Sequence, residues 1–223
     1  MDNILFLHGW GGNENSFAPI LPFFKSKYNC ICVSMPREPN TPPSGHPSTS
    51  EGTSFVWALE DYANFVFNKL DKGITHIVAH SFGARVATLL VTQHPERFGK
   101  LILTGPAGIR PRFKFWRWLR IRLHKWKILK SKGSADYRTL SLNGKITFQN
   151  IIKRDLSQEI SRITQSSLII WGTRDKAIKK YQIYRWTKLN TYTTMKIYKG
   201  AGHFCFLDEP ARFIVDTEEF LNA

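Results

Sequence analysis

The stretch Ile74 to Val91, ITHIVAHSFGARVATLLV, constrains the fold more than any other part of the chain. Ile74, Ile77, Val78 and Ala79 form a short apolar, β-rich run, and Ala84, Val86, Ala87, Leu89, Leu90 and Val91 read as a buried helix. His80-Ser81-Phe82-Gly83 stands between them. A strand that turns directly into a buried helix predicts a β–α unit, with helices covering a parallel sheet. The serine has a small residue two positions before it (Ala79) and another two after it (Gly83), the pattern of a nucleophile elbow. Bulkier side chains there would collide as strand and helix close around a strained turn. Alanine replaces the more usual first glycine. A serine in this place could equally be a plain helix cap, so the reading depends on the rest of the chain.

The rest of the chain repeats the alternation. Ile4–Leu7, Cys30–Met35, Leu101–Thr104, Ser167–Trp171 and Met195–Tyr198 read as strands. Helices are expected over Ser16–Phe24 (capped by Asn15 or Ser16), Phe55–Leu70, Lys176–Leu189 and Ala211–Leu221, and Pro36–Thr53 reads as a loop. The expected fold class is α/β, with a mostly parallel, doubly wound sheet flanked by helices. At 223 residues there is room for one sizeable core and a small insertion.

In such sheets, functional groups gather beyond the C-terminal ends of the strands. His8-Gly9-Trp10-Gly11-Gly12 follows the first strand as a loop able to present backbone N–H groups to an anion. Asp175 follows the fifth strand and His203 follows the last. The order serine, acid, histidine suits nucleophilic acyl transfer, in which the histidine takes the serine proton and the acid orients the histidine. Asp175 could also cap the helix after it, and His203 could be an ordinary loop histidine. Asp208 is a rival acid, better read as the start of the terminal helix. His8 and His80 read as structural. No spaced set of His, Cys and carboxylates suggests a metal, and no cofactor is expected.

The three cysteines have no framework spacing. Cys30 and Cys32 share one face of a strand, Cys205 reads as packing, and a reducing compartment fits. MDNILFLHGW lacks a basic leader and reads as a first strand, and no run is long enough to span a bilayer, so a cytoplasmic protein is expected. The formal net charge is +15. Much of it lies in Arg110–Lys132, which holds ten Lys or Arg, no acid, and five Phe or Trp. This segment reads either as a helix with aromatics packed and cations solvated, or as an interfacial helix drawn to anionic lipid at the inner membrane surface. A nucleic-acid surface is disfavoured, since no binding module accompanies it. Nothing in the sequence sets the oligomeric state.

HGWGGN, AHSFGA, LIIWGTRD and GAGHFCFLDEP occur in this order, each at a strand end. In these motifs the chain resembles the α/β-hydrolase superfamily along nearly its whole length. The resemblance implies Ser81 as nucleophile, His203 as general base and Asp175 as the orienting acid. It implies an oxyanion hole made by the backbone N–H groups of Trp10 and Phe82. It divides the chain into a core of residues 1–105 and 161–223 and a helical cap, or lid, at 106–160. Trp116, Trp118 and Leu119 are then candidates for the cap's substrate-facing side. Serine at position 81 sets the chain apart from relatives that use aspartate there, the haloalkane dehalogenases and epoxide hydrolases. The family's usual first antiparallel strands are missing or trimmed, and Lys179 stands where a proline is common. The implied activity is a carboxylesterase-like serine hydrolase, cleaving an ester or thioester of a small or acyl-chain substrate through an acyl-enzyme. Alternatives are an idle fold serving as a basic membrane- or partner-binding module, or a carbon–carbon bond hydrolase or aminopeptidase using the same triad.

Overall fold

The structure, a computed structural model, describes residues 1–39, 55–111 and 139–223. Its strands are β1 (Asn3–Leu7), β2 (Asn29–Val33), β3 (Thr75–His80), β4 (Phe98–Thr104), β5 (Ser167–Gly172) and β6 (Thr193–Tyr198). They form one six-stranded sheet in the order β2-β1-β3-β4-β5-β6, and every pairing is parallel. The chain winds outward from β1 to β2, then returns to start β3 on the other side of β1. The C-terminal ends of β1 and β3 therefore flank the topological switch point, where ligands of open α/β sheets bind.

Both faces of the sheet are covered, which explains the apolar runs in β1, β3, β4 and β5, such as Ile4–Leu7 and Leu168–Trp171. Leu5, Leu7, Ile77, Ala79, Leu101, Leu103 and Ile169 point to one side. There they meet α2 (Leu59–Phe67), α3 (Phe82–Gln93) and α6 (Lys180–Leu189), through Tyr62, Val86, Leu90, Ile183 and Trp186. Ile4, Phe6, Val78, Ile102, Leu168 and Ile170 point to the other side, against α1 (Leu21–Lys25), α7 (Cys205–Asp208) and α8 (Pro210–Asn222). Each such aliphatic or aromatic side chain contributes about 1.5–3 kcal/mol on burial. α3 lies under the middle of the sheet, and Phe82 through Val91 are all buried.

The helix boundaries differ from the sequence expectation where side chains redirect the backbone. The expected helix at Ser16–Phe24 splits in two, because Pro22 has no N–H and fits only a first helical turn. Ahead of it, Asn13 rather than Asn15 or Ser16 caps a short 3-10 turn over Glu14–Phe17, with Asn15 N–H donating to Asn13 Oδ1 at 2.9 Å. Phe55–Leu70 shortens to α2, because the Trp57 N–H goes to Thr147 Oγ1 at 3.0 Å. The helix expected from Lys176 begins only at Lys180, after a turn closed by Asp175.

Between β4 and β5 the chain carries α4 (Leu142–Lys153) and α5 (Ser157–Ile160). Residues 112–138 lie outside the described residues, and with them Trp116, Trp118, Leu119 and nearly all of the basic segment Arg110–Lys132. α4 is tied to the rest of the fold by Thr147 to Trp57, by Phe148 against Trp10 at 5.0 Å between ring centroids, and by an ion pair from Arg154 to Glu60. Among the described residues no helix is long and apolar enough to cross a membrane.

Candidate active site

Ser81 is the only non-glycine residue with positive φ among those described, at φ 51° and ψ −106°. It leaves β3 and begins α3 without a residue to spare. The turn is pinned by its backbone: Ser81 N–H donates to the Thr104 carbonyl at 3.1 Å, and the Ser81 carbonyl accepts from Ala84 at 3.1 Å and Ala107 at 3.2 Å. Backbone strain of this kind persists only where its surroundings over-determine it.

Asp175 and His203 are brought together by the loops after β5 and β6. Thr173 N–H donates to the Tyr198 carbonyl at 3.0 Å, and Arg174 N–H to the Ala201 carbonyl at 2.8 Å. A Cβ on Gly172 would stand 2.6 Å from the Ala201 carbonyl carbon and closer still to oxygens of Ala201 and Gly202, so only glycine lets these loops meet. His203 Nδ1 then lies 2.8 Å from Asp175 Oδ2. A carboxylate only accepts, so Nδ1 carries the proton, and neutral His203 keeps Nε2 as a base. Asp175 Oδ1 accepts from Ala177 N–H at 2.7 Å and from Ile178 N–H at 2.9 Å. One oxygen thus serves as the turn cap, and the other serves the histidine. Burial pushes the Asp175 carboxyl up, but the His203 hydrogen bond and these two N–H groups outweigh it and hold the pKa below its ordinary value.

Asp208 takes a different place from the one its sequence position suggests. It ends α7 instead of starting the terminal helix, which opens at Pro210. Its Oδ2 accepts the Gly202 N–H at 2.7 Å, bracing the backbone just before His203.

The two other histidines near the site are framework groups. His8 donates from Nδ1 to the Gly9 carbonyl at 2.7 Å and accepts the Met35 N–H at Nε2, at 2.8 Å. His80 Nε2 lies 3.2 Å from the His203 carbonyl, which can only accept, so His80 holds its proton on Nε2. Burial, with neighbouring His203 adding to it, pulls the His80 pKa down to about 3. It remains neutral under the catalytic histidine candidate.

Ser81 opens on two cavities, each of about 380 Å³. One is mostly apolar and runs under α4, past Phe82, Phe148, Ile151 and Ile178. The other is bounded by the Gly9–Gly12 loop, His80, His203 and Phe204. Trp10 and Ser81 are common to both. The Trp10 ring meets Phe82 edge-on at 5.3 Å. Among the described residues, the Trp10 and Phe82 backbone N–H groups make no hydrogen bond; Phe82 heads α3, where an N–H has no partner within the helix. No group of three or more His, Cys, Asp or Glu able to hold a metal occurs among the described residues.

A family model described as "alpha/beta hydrolase fold" matches residues 2–130, more than half of the chain. The chain belongs to the α/β-hydrolase family. Pimeloyl-[acyl-carrier protein] methyl ester esterase of Aeromonas hydrophila is 23% identical over 253 residues, spanning 99% of this chain and 95% of that protein. An epoxide hydrolase of Caenorhabditis elegans is 27% identical over 267 residues, spanning 98% of this chain and 64% of that protein. Among solved structures, meta-cleavage product hydrolase of Pseudomonas fluorescens superposes with a TM-score of 0.74 at 16% identity, covering 100% of this chain and 91% of that one. At such identity the last likeness speaks for the α/β-hydrolase fold alone.

Several residues of this α/β-hydrolase site escape a reading of the sequence. Phe148, Ile151, Arg85 and Gln182 line the cavity under α4, and nothing in their local patterns marks them. Gln182 is held there by donating from Nε2 to the Ile109 carbonyl at 2.6 Å. The one available signal was position: Arg85 is the lone charge in the mostly apolar helix that starts at the candidate nucleophile.

Proposed function

We propose that this hydrolase cleaves a carboxylic ester or thioester through an acyl-enzyme formed on Ser81. The reading rests on the 2.8 Å contact between His203 Nδ1 and Asp175 Oδ2, in a histidine that shares a cavity wall with Ser81. In the first half-reaction Ser81 Oγ attacks the acyl carbon while His203 Nε2 accepts the hydroxyl proton. The tetrahedral oxyanion meets the Trp10 and Phe82 N–H groups, each worth about 3 kcal/mol of barrier in comparable sites. Collapse expels the alcohol or thiol, which takes the proton from His203. Water then attacks the acyl-serine and gives its proton to Nε2, which passes it to Ser81 Oγ as the second tetrahedral intermediate collapses to the acid and free Ser81. Asp175 stays ionised and stabilises the imidazolium at both stages.

The apolar cavity under α4 suits the acyl group, and the cavity beside the glycine loop suits the leaving group. A methyl ester esterase among the full-length relatives supports ester chemistry. Serine at 81, in place of the aspartate used by epoxide hydrolases, favours acyl transfer over epoxide opening despite the epoxide hydrolase relative.

A fluorophosphonate probe with mass-spectrometric mapping tests this without a guessed substrate. Label is expected on Ser81, lost in Ser81→Ala and sharply reduced in His203→Ala. Folded protein that takes no label, or label on another residue, would refute the assignment.

A further inference from the structure

Arg85 stands one helical turn beyond Ser81, and it is only 5% exposed. Among the described residues that line the cavity under α4, it is the only charged one. Its Nη1 donates to the Arg154 carbonyl at 2.9 Å, and no carboxylate lies within ion-pair distance of it among the described residues. The acids nearby are engaged elsewhere. Glu60 and Glu159 both pair with Arg154, and Asp155 accepts the N–H groups of Arg110 and Ser157, each at 2.9 Å. Asp155 reaches Arg85 only through space, and Arg154 opposes it.

A guanidinium offers five N–H donors, and one carbonyl satisfies one of them. Burial draws the pKa of Arg85 down to about 10, so it stays charged at neutral pH. A buried cation without a carboxylate partner is unfavourable, and a helix as apolar as α3 would be more stable with Leu or Met at this position. Arg85 lines a cavity that begins at the candidate nucleophile, and no other described residue lining it is charged. That is the arrangement of a receptor for an anion carried on the far end of an acyl group.

We infer that Arg85 binds a terminal carboxylate of the acyl group, so that the substrates are monoesters or monothioesters of short dicarboxylic acids. This rests on the reading of Ser81 as the acylated residue. Four residues of helix span about 6 Å along the axis, and long helical side chains lean back toward the N-terminus. A glutaryl or adipoyl chain covers that reach. The planar guanidinium can meet the carboxylate with two parallel hydrogen bonds, which lysine cannot reproduce.

The test compares p-nitrophenyl monoesters of glutaric and adipic acid with p-nitrophenyl valerate and hexanoate, matched in chain length. The wild type is expected to favour the anionic esters in kcat/KM. Arg85→Gln should cut the anionic-to-neutral ratio by about ten- to a hundred-fold, chiefly through KM, and Arg85→Lys should recover only part of it. Thermal melting of both variants separates this from misfolding. A wild type that favours the neutral esters, or a folded Arg85→Gln that keeps the anionic preference, would overturn the inference. If no ester turns over and Ser81 takes no fluorophosphonate, the activity reading fails, and Arg85 is then judged by calorimetry with adipate. Adipate binding that is lost in Arg85→Gln supports the anion site on its own, and no binding to the wild type refutes it.

Discussion

Gly83 packs its bare Cα onto the carbonyl of Leu7: a Cβ there would stand 2.7 Å from the Leu7 carbonyl carbon and nearer still to its oxygen. This contact sets the start of α3 directly against the end of β1, and so fixes Ser81 relative to the Trp10 loop. Both colliding groups are backbone, so no side-chain rotation relieves them. Gly83→Ala is expected to destabilise the fold by at least about 1–3 kcal/mol, read from urea unfolding, and to suppress probe labelling of Ser81 even in the folded fraction. A variant of wild-type stability and labelling would mean that the elbow has slack.

Asp175 and Asp208 both touch the histidine loop, and a pair of amide substitutions tells their parts apart. Asp175→Asn places an amide where Nδ1–H needs an acceptor and is expected to lower kcat by roughly 10³–10⁴-fold. Asp208→Asn can still accept the Gly202 N–H through its remaining oxygen and should lose less than about ten-fold. The reverse order of severity would transfer the orienting role to Asp208.

His80 contributes a stability that depends on pH. Its folded pKa of about 3 lies below the ordinary histidine value, so the unfolded chain binds this proton more readily than the native state does. The contribution is complete above about pH 6.5 and is lost as pH falls toward the folded value. Near pH 4.5 this one group accounts for a loss of about 3 kcal/mol. Buried His8, with its pKa also lowered, acts in the same direction. Urea midpoints measured from pH 7.5 to 4.5 should fall more steeply for the wild type than for His80→Gln. Parallel slopes would show that His80 titrates normally in the native state.

Trp10 contributes through two separate groups. Its backbone N–H survives any substitution except proline, whereas its ring packs against Phe82 and Phe148, which line the apolar cavity. Trp10→Ala should therefore keep probe labelling of Ser81 while shifting the best acyl chain toward longer or bulkier groups, with kcat/KM for short esters down by about ten-fold. Loss of labelling with an unchanged chain-length profile would mean that the ring acts on the oxyanion site itself.

The strands and the three candidate catalytic positions were legible because each rests on a strong local constraint. Strands covered on both faces are rich in apolar residues; Ser81 directly follows such a strand, and Asp175 and His203 lie in the loops that leave two others. The turn at Ser81 also demands small neighbours, which Ala79 and Gly83 supply. Helix starts were less legible because distant partners decide them. Thr147 draws the Trp57 N–H away from α2, and Asp175 bends residues 176–179 into a turn while serving His203. Arg85 was hard to read for a similar reason. A lone arginine in an apolar helix looks like a solvated side chain until the segment carrying Arg154, 69 positions later, closes over it.

The positive φ of Ser81 burdens every L-residue placed there alike. Ser81→Ala would remove the hydroxyl and keep the strain, whereas Ser81→Gly would remove both. The glycine variant should then unfold at higher urea concentration than the wild type, by an amount equivalent to roughly 1–3 kcal/mol less the entropy that glycine adds to the unfolded chain. On the proposed mechanism, this more stable variant would be inactive. Stability screens that ignore activity would then drift toward glycine at the residue proposed to carry the acyl group.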